Sequence, residues 1–319
     1  QLIYRRHLRI GGRGPISAVI SGIDIALWDI KGKVLGVPIY QLLGGPVRDQ
    51  VPIYTHVQDA RQGFTIDEMV TMARETKVSG HQAIKTDPFL SMANESGPFR
   101  GASLVEKLTP AAINYAAEWV SALRSEVGDD FEIMVDAHAR FDVASAIAAA
   151  RELESMRLTW FEEPVPQESY DALKEFRENS NVAISVGESL FTRYDFVPVL
   201  QDRLADFIMP DIAWTGGISE LRRIASLAES YYVPFTPHDA LGPIAIASTF
   251  QVCMATPNLY RQECIHDWFD AFAKIVTHPM NYRDGAFWPS SRPGIGTELI
   301  HEEVERYAVP SSQGRHSSY

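Results

Sequence analysis

Two hydrophobic periods alternate along this chain. Between residues 17 and 33, apolar side chains recur at Val19, Ile23, Ala26, Leu27 and Ile30, the spacing of one face of an amphipathic helix. A shorter helix is predicted over 38–43, stopping at Gly44-Gly45, where glycine suits a helix end. From residue 51 onward short strand-like runs take over, at 51–57, 82–87, 131–137, 159–163, 183–187, 207–211, 233–237 and 259–263. Helical-period segments separate most of them, as at 111–127, 144–156, 169–178 and 218–230. Eight strands in alternation with helices predict a (β/α) barrel whose active site lies at the strand C-termini. The stretch after about residue 279, carrying DGAFWPSSRPGIGTE, is rich in Gly, Pro and Ser and reads as loop or extended chain over another surface. Residues 91–109 form an unusually long loop after the second strand, to be read either as a lid or as a solvated insertion.

Composition narrows the function classes. An apolar fraction of 45% in 319 residues is ordinary for a globular protein with a large core. No apolar run reaches the roughly 18–20 residues of a membrane span, and no signal-like segment opens the chain; it reads as soluble and cytoplasmic. A net charge of −12 argues against a nucleic-acid surface. An anionic substrate must then be drawn in locally, by a metal and cationic side chains. Cys253 and Cys264 show no metal spacing and read as buried free thiols.

Three acids carry the chemistry. Asp136, Glu162 and Glu188 each end a strand-like run, and the gaps are equal: 162 − 136 = 26 and 188 − 162 = 26. Carboxylates at successive strand ends of a barrel converge on one point, and hard oxygen ligands gathered there suit Mg²⁺. Other strand ends supply further groups. His138 follows Asp136 by two residues and so sits beside the metal's substrate, where catalysis is the stronger reading over a structural histidine. The sixth run ends at Asp211, and His238 follows the seventh; the pair reads as an imidazole base oriented by a carboxylate, or else as a satisfied pair at the rim. Lys85 suits a substrate carboxylate, with a surface lysine as the competing reading, and Asp87 lies on the same face. Glu263 ends the eighth run and would hydrogen bond a developing oxyanion if protonated, or orient a substrate hydroxyl. Together these groups fit abstraction of a proton next to a carboxylate by His238, with His138 protonating a leaving hydroxyl.

The motifs PISAVISGIDIALWDIKGK, YQLLGG, AIKTDP, VDAHARFD, FEEPVPQE, VGESLFTRYDF, PDIAWTGGISE, TPHDALGPIA and YRQEC run almost end to end. With them the chain resembles the enolase superfamily, mandelate racemase group, and within it the galactonate-type acid-sugar dehydratases. The resemblance implies a modified TIM barrel, (β/α)₇β, with part of an α+β capping domain: residues 1–50 from the cap, 51–278 the barrel, and 279–319 a tail returning to the cap. It implies Asp136, Glu162 and Glu188 as Mg²⁺ ligands, Glu162 being chosen over Glu163 by the spacing. Asp211–His238 becomes the base dyad and Glu263 the hydrogen-bonding group on the enediolate side. Lys85, Asp87, Arg140 and Glu263 are the expected substrate-binding residues. Racemases of the group place a second lysine where this chain has Asp87, so two-base racemisation is not expected.

The expected reaction is Mg²⁺-dependent dehydration of an aldonic acid, galactonate- or gluconate-like, to a 2-keto-3-deoxy acid. The alternatives are an aldaric acid dehydratase or an epimerase, for which Arg140 or Arg193 would hold a second carboxylate, and a catalytically silent acid-sugar binding protein. Mannonate dehydratases share the D-x-H pattern, and KTDPF departs from the galactonate pattern, so the sugar stays open. The resemblance also implies a homo-oligomer, dimer to octamer. Its capping domain opens on a three-stranded sheet, whereas this chain opens at the helices; without such a sheet, weak closure over substrate and weak turnover are expected.

Overall fold

The computed structural model describes residues 2–7, 13–57, 65–89, 107–265 and 268–307; most of the loop expected as a lid at 91–109 lies outside them. Strands β1 (Val51–His56), β2 (Ala83–Thr86), β3 (Glu132–Asp136), β4 (Trp160–Glu162), β5 (Ile184–Val186) and β6 (Phe207–Ile208) pair in parallel, each with the next. Strand β7 (Gln262–Glu263) returns to β1, also in parallel. Phe235 bridges the remaining gap, pairing with Ile208 on one side and Leu259 on the other. The ring is thereby closed into a modified TIM barrel. The run expected as a strand at 233–237 contributes only this bridge, because Pro234 and Pro237 remove donors that a longer ladder needs.

Helices α1 (Leu2–His7), α2 (Pro15–Leu35) and α3 (Ile39–Leu42) precede the barrel. Between successive strands lie α4 (Ile66–Val78), α5 (Pro110–Val127), α6 (Val143–Leu153), α7 (Tyr170–Asn179), α8 (Arg193–Gln201), then α9 (Ile212–Thr215) with α10 (Gly217–Glu229), and α11 (Pro243–Met254). After β7 come α12 (Phe269–Ile275), the hairpin β8 (Asn281–Arg283)–β9 (Ala286–Trp288), and α13 (His301–Tyr307). Local chemistry sets several of the helix starts. The side chains of Thr65, Thr109, Asp142 and Ser169 each accept a backbone N–H three residues on, satisfying donors that a helix start leaves open. Among the described residues no helix is long and apolar enough to cross a membrane.

The two-residue period of a strand then positions the site. Ile53, Ile84, Ile133 and Phe161 belong to the large core shared with the helices, whereas Tyr54, Ala83, Met134 and Trp160 form a separate buried cluster. Those four come one each from β1 to β4 and face the barrel axis. Two residues further along the same four strands stand His56, Lys85, Asp136 and Glu162, which therefore face the axis too, one layer nearer the C-terminal mouth.

Helix α2 departs from its amphipathic reading. Its packed side is polar: Ser17 Oγ donates to Trp214 O, Ser21 Oγ accepts from Gly216 N at 2.9 Å, Asp24 accepts from Ser219 N at 2.9 Å, and Trp28 Nε1 donates to Ser219 Oγ at 2.9 Å. Val19, Ile23, Leu27 and Ile30 face solvent, at 61%, 40%, 62% and 57% exposure. The helix packs on α9 and α10, whose junction leaves the Trp214 carbonyl and the Gly216 and Ser219 N–H groups in need of partners, so short polar side chains turn inward. The tail meets the same region, with Gly294 exchanging hydrogen bonds with Val37 and Ile39 and Ile295 N donating to Asp29 at 2.9 Å.

Gly187 joins β5 to Glu188 with a φ of +139°, outside the range that L residues adopt readily. A Cβ there would stand 2.7 Å from a Phe196 ring carbon and 3.1 Å from Met209 N. The Gly187→Ala substitution is therefore expected to cost about 1–3 kcal/mol of stability, read by chemical denaturation. An unchanged unfolding midpoint would show that the strand end yields at no cost.

Candidate active site at the strand C-termini

Asp136 and Glu162 are paired across β3 and β4, and Glu188 follows the end of β5. One carboxylate oxygen from each lies within 4.8 Å of the others. Hydrogen bonds hold two of the three in place. Asp136 Oδ1 accepts from His138 N at 2.8 Å, and Glu162 Oε2 accepts from the Trp160 indole at 2.8 Å. Asp136 Oδ2 is buried and makes no aligned hydrogen bond, its nearest cationic contact being Lys85 Nζ at 3.1 Å, so it keeps capacity to ligate a metal ion. Burial and the charge of Asp136 push the Glu162 carboxyl well up, an instability that a divalent cation would relieve. Three hard oxygen donors facing one point fit Mg²⁺ or a similar ion.

Lys85 is 1% exposed and lies inside this cluster. Its Nζ is 2.5 Å from Glu162, 2.6 Å from Glu263 and 3.1 Å from Asp136. Burial works to lower its pKa, but Glu162, Glu263 and Asp136 outweigh it and hold the ammonium well above its usual value. The competing surface-lysine reading fails on this burial. Glu263 also contacts His56 Nε2 at 2.6 Å and accepts from Asp239 N at 2.8 Å. Burial would raise its pKa, yet Lys85 and His238 hold it well below the usual range. With Lys85 Nζ and Asp239 N both donating to it, Glu263 serves as an acceptor in this arrangement.

Two imidazoles flank the triad. His238 Nδ1 is 2.7 Å from Asp211 Oδ2, while Asp211 Oδ1 accepts from Ala213 N at 2.6 Å and so starts α9. That leaves His238 Nε2 3.3 Å from Glu188. Burial works against its charged form, but Glu263, Glu188 and Asp211 raise its pKa well above the ordinary value. On the other flank His138 Nε2 stands 3.5 Å from Asp136. His138 keeps 37% side-chain exposure and its pKa is pushed up to about 9, Asp136 and Asp87 overcoming burial. Simple strand alternation does not place it: β3 ends at Asp136, and His138 and Ala139 take left-handed backbone angles, φ 49° and 53°. Such φ values in non-glycine residues cluster at functional turns.

The sequence reading fared differently at Asp87, Arg140 and Arg193. Asp87 and Arg140 were expected to bind substrate, but Arg140 Nη2 donates to Asp87 Oδ2 at 2.6 Å, and His138 Nδ1 meets the same oxygen at 2.8 Å. Arg193 forks onto Glu220 at 2.7 and 2.6 Å, lining a separate groove beside Tyr4, Arg5 and Asp24. Three contributors escaped the sequence reading. His56 ends β1 as a polar residue after an apolar run, the criterion that found the others. Trp160 buttresses Glu162. Glu163, at φ 41°, turns away from the triad and accepts from Gly187 N at 2.7 Å, tying the end of β4 to the approach of Glu188.

Comparison with known proteins agrees with this geometry. Residues 59–304 match the family model described as enolase C-terminal domain-like, and residues 1–44 match the mandelate racemase/muconate lactonizing enzyme N-terminal domain. The D-galactonate dehydratase of Pectobacterium atrosepticum is 36% identical over 312 residues, covering 95% of this chain and 77% of the relative. The D-gluconate dehydratase of Thermoproteus tenax is 30% identical over 313 residues, covering 97% of this chain. The chain spans only 60% of that relative's length. Among solved structures, a mandelate racemase/muconate lactonizing enzyme-like protein from Rubrobacter xylanophilus superposes with a TM-score of 0.86 at 34% identity, covering 95% of this chain and 80% of that one. The 3,6-anhydro-D-galactonate cycloisomerase of Zobellia galactanivorans superposes with a TM-score of 0.82 at 29% identity, covering 96% and 80%. With acids at three successive strand ends and both domain models matched, the chain belongs to the mandelate racemase/muconate lactonizing enzyme family of the enolase superfamily, a family of enzymes.

Proposed function

We propose that this chain carries the catalytic barrel of a Mg²⁺-dependent acid-sugar dehydratase, converting an aldonic acid to its 2-keto-3-deoxy product. One observation carries the reading: two imidazoles face a three-carboxylate cation site from different sides, each with its Nδ1 against an aspartate and its Nε2 toward a triad member. Asp136, Glu162 and Glu188 would hold the ion, which when bound supplies positive charge next to the substrate's carboxylate. His238 Nε2 takes the hydrogen from C2, and Asp211 keeps its Nδ1 side fixed. The electron pair left behind is first carried by the carboxylate as an enediolate, and in a second step it forms the C2–C3 double bond as the C3–O bond breaks. His138 Nε2 hands its proton to that oxygen, which departs as water. The enol then shifts to the 2-keto acid. Lys85 places a second positive charge beside the carboxylate on which charge develops. The names of the Pectobacterium and Thermoproteus relatives support an aldonate as substrate.

A diacid substrate is less well served. Arg140 is engaged by Asp87 and Arg193 by Glu220, so neither cation expected to meet a distal carboxylate stands free for it. The test is a screen of aldonic and aldaric acids with added Mg²⁺, trapping 2-keto products with semicarbazide. Turnover of an aldonate, stopped by EDTA and restored by Mg²⁺, is the expected result. Preference for a diacid, or Mg²⁺ binding with acid-sugar binding and no product, would overturn the reading.

A further inference from the structure

Asp87 is fully buried, and both its oxygens are used. Oδ1 accepts from Phe89 N at 2.9 Å; Oδ2 meets His138 Nδ1 at 2.8 Å and Arg140 Nη2 at 2.6 Å. The base dyad is built to the same plan, since one Asp211 oxygen accepts a backbone N–H and the other meets the imidazole Nδ1. In both, engagement of Nδ1 leaves Nε2 directed at the triad. We propose that Asp87 is a positioning residue for His138, so that the site holds two imidazole–carboxylate dyads facing each other across the cation site, with Arg140 as the clamp that fixes the Asp87 carboxylate. This rests on the dehydratase reading for the role of His138, while the dyad itself rests on geometry.

The function of the second dyad follows from tautomer control. A neutral imidazole can carry its single proton on either nitrogen, and the partner of one nitrogen decides which. As the acid the ring carries both protons, Nδ1–H directed to Asp87 and Nε2–H facing the leaving 3-hydroxyl, and after Nε2 gives up its proton the remaining one is kept on Nδ1 by Asp87. The turn that carries His138 is left-handed and exposes the ring, so backbone packing alone does not fix the ring's orientation. Asp87 and Arg140 supply what the backbone omits. Arg140 is itself anchored, its Nε donating to Ala137 O at 3.2 Å and its guanidinium lying over the Phe141 ring at 5.6 Å. The placement of Asp87 two residues beyond Lys85 is thus a division of labour along one strand end: Lys85 serves the metal cluster, Asp87 the acid.

The test uses Asp87→Asn, His138→Gln and the double variant of the whole chain, with Mg²⁺, in D₂O, with D-galactonate and D-gluconate as probes. An amide offers one acceptor oxygen where three N–H donors converge, so Asp87→Asn disturbs the ring's hold. Product formation in Asp87→Asn is expected to fall about 10²-fold or more in kcat with KM nearly unchanged. Deuterium incorporation at C2 of recovered substrate, in which His138 takes no part, is expected to persist. The double variant should be no slower than His138→Gln, as for residues acting as one unit. Loss of exchange together with product, a rise in KM with kcat kept, or additive losses would overturn the proposal. A second measurement needs neither turnover nor a stable variant. In the metal-free unsubstituted protein, proton NMR should show a low-field His138 Nδ1 proton, assigned by its loss in His138→Gln. Its absence would also overturn the dyad. No turnover of either aldonate with that proton present would count against the dehydratase reading alone.

Discussion

Replacing His238 with asparagine is expected to stop both product formation and exchange of the C2 hydrogen with solvent. A hydrogen next to a carboxylate is removed only by a base held against it while the resulting charge is stabilised. Within the described site, His238 is the imidazole oriented by Asp211 at 2.7 Å, with its other nitrogen 3.3 Å from Glu188. Asparagine keeps a polar group against Asp211 but cannot accept the proton. The loss should be about 10²–10⁴-fold in kcat, the usual contribution of a positioned general base. Both readouts must fall together, because exchange and elimination share this first step. Mg²⁺ binding, followed by calorimetry, should survive, since His238 is not among the three triad carboxylates. Persistent C2 exchange in His238→Asn would remove His238 from the base role and transfer it to another group. Asp87→Asn should give the contrasting pattern, in which exchange continues and elimination does not.

The parts of this molecule that were legible in the sequence are those repeated along it. Each strand–helix unit returns the chain to the barrel mouth, so acids 26 residues apart had to converge, and Asp136, Glu162 and Glu188 do. Periodicity also outlined the barrel, apart from the proline-flanked bridge at Phe235. What the sequence hid depends on partners far apart in the chain. His56 matters because Glu263 lies across the closure of the ring, 207 residues on. Arg140 read as a free cation because nothing in its neighbourhood announces Asp87, 53 residues before it. The stripe on α2 misled for a different reason. Hydrophobic periodicity assumes that the packed side of a helix is apolar, but this helix packs on the junction of α9 and α10, whose backbone groups need hydroxyls and a carboxylate.

Lys85→Met should have its largest effect before any substrate is present. The Lys85 ammonium is 2.5 Å from Glu162, 2.6 Å from Glu263 and 3.1 Å from Asp136, all buried. Removing one partner of a buried ionic group leaves uncompensated charge and typically costs about 3–5 kcal/mol. Methionine preserves the bulk of the stem, so the loss would be electrostatic and not a cavity effect. A divalent cation at the triad would restore the missing charge, and an ion that binds only the folded state stabilises it, by about 2.7 kcal/mol at a hundredfold excess over Kd. The variant should therefore unfold at lower urea than its parent in EDTA and gain more than its parent when Mg²⁺ is added. Turnover should not recover with stability, because the second positive charge beside the substrate carboxylate is gone. Equal unfolding midpoints in EDTA would show that the lysine carries no electrostatic load in the folded protein. A smaller Mg²⁺ response in the variant than in the parent would mean that lysine and metal support each other and do not substitute for one another at the cluster.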